Sequence, residues 1–417
     1  MRYKAPRGTH DILPQQVNAW RHVESTFADL VESWGYQEIR TPMFEETDLF
    51  IRASGETSDM ASKQMYSFLD KGGRDISLKP EGTAPVARAV VEHNLWSPGQ
   101  TLRLYYATPI FRYERPQKGR YRQAHQVGLE LIGPDSAAAD AEIIELTIEF
   151  FRRIGIADAE ARLNALGSSD GRAKFRASLL NVAGPALAEM DAEARARYEK
   201  NPLRLLDSKD PVMLDALSAA PPISDFWDDK TRRRFDNTCA ILTEAGVTWS
   251  LDTGIVRGLD YYTGTVFEVH SPDLGAQSSL CGGGRYDELI EQIGGPAAPS
   301  VGVAMGVERT LMVLEARGID PLPKRQGVWL VAMTDEAKPT QDRWARTLRA
   351  EGIPVWIDLG ERSTRAQVRA AEREGWRYVG FLGDDEMASG NLSLKDLSDG
   401  RQDSMSKPEV LERLKPQ

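Results

Sequence analysis

Two strand-like runs, Thr101–Tyr113 and Tyr121–Ile132, are separated only by the short stretch Glu114–Arg120, which holds Pro116 and Gly119. A parallel pair needs a crossover of a dozen or more residues, so these runs are predicted to pair antiparallel as a hairpin. The hairpin tip and flanks read RYERPQKGRYR. Arg112, Arg115, Lys118, Arg120 and Arg122 face a single acid, Glu114, in a chain whose net charge is −10. A solvated turn explains such a cluster on its own; a site for anions explains it too.

The second strand favours a site. Side chains alternate along a strand, so Ala124, Gln126, Gly128 and Glu130 share one face, and His125, Val127, Leu129 and Leu131 share the other. The second set reads as core. The first is a polar floor opened by a glycine, and a buried carboxylate there needs a partner. A solvent-facing strand is the competing explanation.

Other segments carry chemistry of the same kind. In SLKPEGTAPVAR, Glu81 and Thr83 lie two apart and point the same way if the segment is extended, placed to hold an ammonium group; alternatively they open a helix that begins near Pro85. In RGLDYYTGTVFEV, Arg257, Tyr261 and Tyr262 stand where a strand begins, suited to anions and heterocycles, although adjacent tyrosines also serve cores. The glycine-rich stretches CGGGRYDEL and VGVAMGVER fit neither a Walker loop nor a dinucleotide fingerprint and read as close backbone packing. Arg309, closing the second, could pair with phosphate or stack on a base.

The remainder of the 417 residues is enough for two or three domains. Trp20, Val23, Phe27, Leu30, Val31 and Trp34 predict an amphipathic helix over 15–34, followed by a strand-like run around Glu38–Phe44. Helices are expected over 136–154 and through an Ala- and Arg-rich module from about 168 to 246. Strand signals return at 263–270 and 299–305, with a helix at Val307–Arg317. Beyond the linker-like Pro321–Gln326, strands at Gly327–Met333, Pro354–Ile357 and 377–382 alternate with helices, predicting a small α/β domain with a largely parallel sheet. The 2 cysteines, Cys239 and Cys281, form no CxxC pair, which argues against a disulfide framework or a cysteine zinc site and suits a reducing cytoplasm. The N-terminus lacks a signal peptide's apolar core, and no apolar run is long enough to span a membrane.

Together these segments resemble the class II aminoacyl-tRNA synthetases, and among them the histidyl-tRNA synthetase family, over nearly the whole chain. KAPRGTHDILP is similar to that family's N-terminus. WGYQEIRTPMFEE, with Pro42, looks like motif 1, the dimer-forming element; FRYERPQ looks like motif 2 and VGVAMGVER like motif 3. LKPEGTA, RGLDYY and GGRYD are similar to segments peculiar to the histidyl enzymes.

The resemblance implies an α+β catalytic domain on an antiparallel six-stranded sheet, with residues 1–167 and 247–320 as its two parts. It also implies a helical insertion at 168–246 and a C-terminal α/β anticodon-binding domain at 327–417. The activity implied is activation of L-histidine with ATP to histidyl-adenylate and pyrophosphate, then transfer to the 3′-terminal adenosine of tRNA(His). Glu81 and Thr83 would bind the histidine ammonium, Gln126 its amino-acid end, and Glu130 and Tyr262 one imidazole nitrogen each, with Tyr261 and Tyr286 completing the wall. Arg112 and Arg257 would act at the carboxylate and α-phosphate. Glu114, Arg120 and Arg309 would serve ATP, which brings Mg2+ on its phosphates without a metal site made of protein side chains alone. A phosphate oxygen would take the proton in the transfer step. Arg115 and Gln117 would meet the tRNA acceptor end, and a homodimer would form through motif 1.

Two positions depart from the family pattern: Ala124 stands where an aromatic residue usually stacks on adenine, and Lys79 where arginine is usual. A regulatory relative of the catalytic domain and a synthetase for another amino acid are the competing readings. The three arginines and the segment beyond the linker argue against the first, and RGLDYY with the Gln126/Glu130 floor against the second. In the C-terminal part, Arg362, Arg365, Arg369 and Arg373 form either a phosphate-facing stripe or a solvated face paired with Glu361, Glu372 and Glu374.

Overall fold

The computed structural model describes residues 3–415 apart from 56–57, 59, 118, 209, 256–260, 274–278, 320–324 and 361. The chain divides into two compact units, Met1–Pro321 and Leu322–Gln417.

Among the described residues the first unit carries strands β1 (Gln37–Glu38), β2 (Phe44–Glu46), β3 (Tyr66–Leu69), β4 (Asp75–Leu78), β5 (Leu102–Phe111) and β6 (Gln123–Ile132). They are followed by β7 (Glu160–Ala165), β8 (Trp249–Leu251), β9 (Thr265–His270), β10 (Ser279–Arg285) and β11 (Ser300–Gly306). The main sheet runs β1-β5-β6-β11-β10-β9-β7-β8. Its six inner strands are all antiparallel neighbours, and β5 and β6 form the predicted hairpin. The expected count of six falls short of the full sheet: β1 and β8 add a parallel strand at each edge. Runs of two and three residues are too short to leave a period in the sequence. The strand-like run Glu38–Phe44 is broken into β1 and β2 around Pro42, which has no N–H to give a ladder.

The two faces of the sheet differ as the alternation on β6 predicts. Val127, Leu129 and Leu131 face a core filled by Trp20, Val23 and Phe27 of the helix Val17–Ser33 and by Ile143, Ile144 and Phe150 of Ala137–Arg153. Phe235, Cys239 and Leu242 of Asp229–Glu244 complete it. The first helix stops short of Trp34, which is exposed. The opposite face buries Tyr106, Tyr261, Tyr262 and Tyr286 with Phe175, Leu179 and Ala183 of the helix Ser169–Ala188.

The second unit has its own five-stranded sheet, ordered β13-β12-β14-β15-β16, from β12 (Arg325–Ala332), β13 (Val355–Ile357), β14 (Trp376–Leu382), β15 (Leu392–Asp396) and β16 (Gln402–Met405). β12, β13 and β14 are parallel, as the alternation of strands and helices requires. β15 and β16 join antiparallel, so the sheet is mixed rather than largely parallel. β15 offers only Leu392 and Leu394, and β16 only Met405, too short an apolar pattern to mark either as a strand. Among the described residues, no helix is long and apolar enough to cross a membrane.

Candidate active site

The polar floor of β6 lies open because its neighbours are small. In register, Gln126, Gly128 and Glu130 sit opposite Gly306, Ala304 and Gly302 of β11, and the last two sit opposite Gly282 and Gly284 of β10. The two glycine-rich stretches are thus paired strands at the centre of the sheet, and their missing side chains make room for a cavity of about 250 Å³ above it. A methyl group at Gly302 would collide with Glu130 Oε2.

That cavity gathers most of the expected residues: Glu81, Thr83, Arg112, Glu114, Arg120, Gln126, Tyr261, Tyr262, Tyr286 and Arg309 all line it. Arg257 lies outside the described residues. Arg115 and Gln117 are exposed at the hairpin tip, where Gln117 and Arg120 bridge each other, and do not line the cavity.

At one end the groups are acidic and phenolic. Glu130, also expected in the site, is not in the cavity lining; it is buried beneath Tyr286, whose hydroxyl donates to Oε2. Burial pushes the Glu130 carboxyl up to about 8, although the Tyr286 hydroxyl opposes the shift. Tyr261 stacks obliquely on Tyr262 at 4.8 Å and edge-on to Tyr286 at 5.7 Å. Glu81 does not lie on an extended segment. The helix Thr83–Glu92 begins beside it, and its carboxylate accepts from the amides of Thr83 (2.7 Å) and Ala84 (2.8 Å). The helix-start alternative therefore holds for the backbone, while both side chains still reach the cavity wall. Burial raises the Glu81 carboxyl, and the two amides and Arg112 oppose that shift.

At the other end the groups are cationic. Arg112 is anchored by Nε to the carbonyl of Pro80 at 2.7 Å. Glu114 stands between Arg112 (4.0 Å) and Arg120 (3.6 Å). Arg309 is more than half buried, and its guanidinium is made easier to deprotonate first by that burial and then by repulsion from Arg120. Guanidinium groups brought this close favour an anion between them. The preceding residue, Glu308, accepts from the His125 amide with both oxygens (3.0 and 3.1 Å), tying the helix Val307–Ala316 to β6.

The two departures resolve differently. Ala124 lines the cavity opposite Ile110 of β5, which lines it too, so the wall here is aliphatic. Lys79 is fully buried outside the cavity lining, its ammonium 3.2 Å from the Thr41 hydroxyl and 3.3 Å from the Thr41 carbonyl. Burial pushes its pKa down to about 8. In the second unit, Arg362 is committed to Asp358 at 2.6 Å, while Arg365, Arg369 and Arg373 are exposed on the helix Thr364–Arg373.

Sequence reasoning missed Tyr106. It sits opposite Gly128 on β5, and its ring occupies the space that side chains at Gly128 and Gly82 would need. The gap read as an open floor is therefore filled at that point by a buried phenol. Tyr106 Oη, Gln126 Oε1 and Glu130 Oε1 are all buried without a hydrogen-bond partner among the described residues. The Thr83 and Tyr106 hydroxyls also oppose the rise of the Glu130 pKa, so these groups form one buried polar cluster.

Comparison with known proteins gives the family. Residues 8–310 match the family model for histidyl-tRNA synthetase, and 322–417 that for the anticodon binding domain. The chain is 42% identical over 413 residues to the histidine–tRNA ligase of Caldanaerobacter subterraneus subsp. tengcongensis, covering 99% of each. It is 42% identical over 418 residues to that of Listeria innocua, covering 99% of this chain and 98% of the relative. The crystal structure of apo S. aureus histidyl-tRNA synthetase superposes with a TM-score of 0.81 at 33% identity, covering 99% of this chain and all of that one. Matched from residue 8 to residue 417 by its two constituent family models, the chain belongs to the histidyl-tRNA synthetase family.

Proposed function

We propose that the cavity above β6 is where this chain carries out the reaction of its family: ATP-dependent activation of histidine, then transfer to tRNA(His). The observation that supports this assignment is the lining of the cavity itself, where Glu81, Thr83, Gln126 and the rings of Tyr261, Tyr262 and Tyr286 come together with the guanidinium groups of Arg112, Arg120 and Arg309. Histidine supplies complementary groups to the first end and a carboxylate to the second. Glu130 and Tyr262 take one imidazole nitrogen each, Glu81 and Thr83 the ammonium, and Gln126 the amino-acid backbone, with Tyr261 and Tyr286 as wall. A site built from paired polar groups rejects ligands that leave them unpaired, by about 10⁴–10⁵ in favourable cases.

Activation joins two anions, the histidine carboxylate and the α-phosphate of ATP. Arg112 and Arg257 screen that approach and stabilise charge on the α-phosphate as pyrophosphate leaves. Arg120 and Arg309 hold the nucleotide. Among the described residues, no group of three or more His, Cys, Asp or Glu side chains could hold a metal ion. Magnesium would come with ATP, ligated chiefly by phosphate oxygens, with Glu114 the carboxylate beside them. In the transfer step the 3′-terminal ribose hydroxyl attacks the adenylate carbonyl and AMP leaves. Arg115 and Gln117, exposed at the hairpin tip, meet the acceptor end of the tRNA.

Residues 168–246 serve as the helical insertion between the two catalytic parts at 1–167 and 247–320, and 327–417 as the anticodon-binding domain. The working form is a cytoplasmic homodimer through motif 1. Exposed Met43, Phe44, Phe68 and Leu69 on and beside the small sheet β2-β4-β3 give it an apolar surface to bury. The test of the assignment is pyrophosphate exchange across the amino acids. Exchange that requires histidine supports it, and exchange indifferent to the amino acid, or absent, overturns it.

A further inference from the structure

Arg285 ends β10 immediately before Tyr286, and its side chain is fully buried. Its guanidinium is used on every side. Nε donates to Asp140 Oδ1 at 2.8 Å, and Nη2 lies 2.6 Å from the same oxygen and donates to the Ser136 carbonyl at 3.2 Å. Nη1 donates to Asp287 Oδ1 at 3.0 Å and to the Pro134 carbonyl at 3.2 Å.

Each partner is tied onward. Asp140, equally buried, accepts from the Thr265 hydroxyl of β9 at 2.7 Å. Asp287 accepts from the Ser300 amide at the start of β11 (3.1 Å), and its own amide donates to the Thr263 hydroxyl (3.0 Å). The Thr263 amide in turn donates to the Arg285 carbonyl at 2.8 Å. One guanidinium thus joins the start of the helix Ala137–Arg153 to β9, β10, β11 and the residue after Tyr262. Neither it nor its two acids line the cavity.

A buried ion pair is weak support for stability, because apolar packing often serves as well. What a planar fork supplies that apolar groups do not is fixed geometry. We propose that Arg285 is a positioning residue for amino-acid selection. It fixes the strand end from which Tyr286 projects and the turn that carries Tyr262, and through Tyr286 it decides which oxygen of Glu130 is left to meet the imidazole. This inference rests on the histidine pocket assigned above.

The test uses the full-length chain and pyrophosphate exchange, with the Michaelis constants for histidine and ATP measured separately. Arg285→Lys keeps the charge and loses the fork. It is expected to raise the histidine constant by about tenfold or more, as sub-ångström misplacement of binding groups does, and to leave the ATP constant within about twofold. A purely structural role would lower the active fraction, and so the rate, while leaving both constants in place. Thr265→Val removes one donor to Asp140 with little change of shape, and is expected to raise the histidine constant by a smaller factor; it decides the matter if Arg285→Lys does not fold. Glu130→Gln is run in parallel. If it raises the histidine constant while neither positioning variant does, the role of Arg285 is overturned. If Glu130→Gln itself leaves that constant unchanged, the pocket assignment has failed instead.

Discussion

The hydroxyl of Tyr286 donates to one oxygen of Glu130 and leaves the other without a partner among the described residues. The acid is buried outside the cavity lining, and burial keeps its carboxyl at about 8 against an ordinary 4.5. Between those two values the folded protein binds a proton that the unfolded chain has released. This contribution to stability is therefore complete below about pH 4.5 and is lost as pH rises to about 8. Glu130→Gln should remove that part of the slope and make the ligand-free protein more stable than its parent above pH 8, by an amount on the order of a few kcal/mol. Urea midpoints at pH 5 and pH 8.5 measure it. Equal slopes in the two proteins would mean that Glu130 ionises as easily inside as in water.

Gly128 and Tyr106 make a second pair with a clear expectation. A methyl group at Gly128 runs into the Tyr106 ring, and neither the strand nor the buried ring has room to move. Overpacking of this kind costs about 1–3 kcal/mol. Gly128→Ala should melt at a lower temperature and bind histidine more weakly, and the same change should cost less in a Tyr106→Ala background, where the ring it would strike is gone. An unaltered melting curve for Gly128→Ala would rule out the close approach.

Ala124 faces the cavity beside Ile110. An aromatic ring there would gain a face on which adenine can stack, a contact worth about 1–3 kcal/mol per base in nucleic-acid binders. Ala124→Phe should therefore lower the Michaelis constant for ATP by a few fold, part of the full value, because the strand fixes where the ring stands. A constant that stays level or rises would mean that Ala124 does not face the base, or that another side chain already fills that place.

The helix Thr364–Arg373 tests a different surface. Arg362 is spent on Asp358, whereas Arg365 and Arg369 stand exposed. If those two neutralise phosphates, replacing both with glutamine should make the log–log salt slope of tRNA binding shallower by about one to two, and leave histidine-dependent pyrophosphate exchange untouched. An unchanged slope would return the helix to the role of a solvated face.

The β5–β6 hairpin and the face carrying Gln126, Gly128 and Glu130 were readable because polar and apolar residues alternate along β6, even though both of its faces are buried. Other features were not. β10 is a central strand of consecutive glycines, and glycine carries no strand preference; it became a strand because β9 and β11 pair with it on both sides. Tyr106 belongs to the pocket through cross-strand register, which only the paired hairpin reveals. Glu81 and Thr83 reach the cavity wall from a helix start, the alternative that the sequence offered beside an extended segment. Arg285 was invisible as a hub because all of its partners but Asp287 lie far away along the chain, at Pro134, Ser136 and Asp140.

The neighbour of β6 across the cavity floor is β11, which ends at Gly306. A ribosome must therefore have made nearly all of the first unit before this pocket can exist, and contacts between such distant stretches form slowly. An emerging chain can close the hairpin early and display its arginines, but it has no place for a substrate until the late strand slides in beside it. Histidine and ATP, which bind only the closed sheet, would then act during synthesis as a latch on the finished unit and not as a guide toward it.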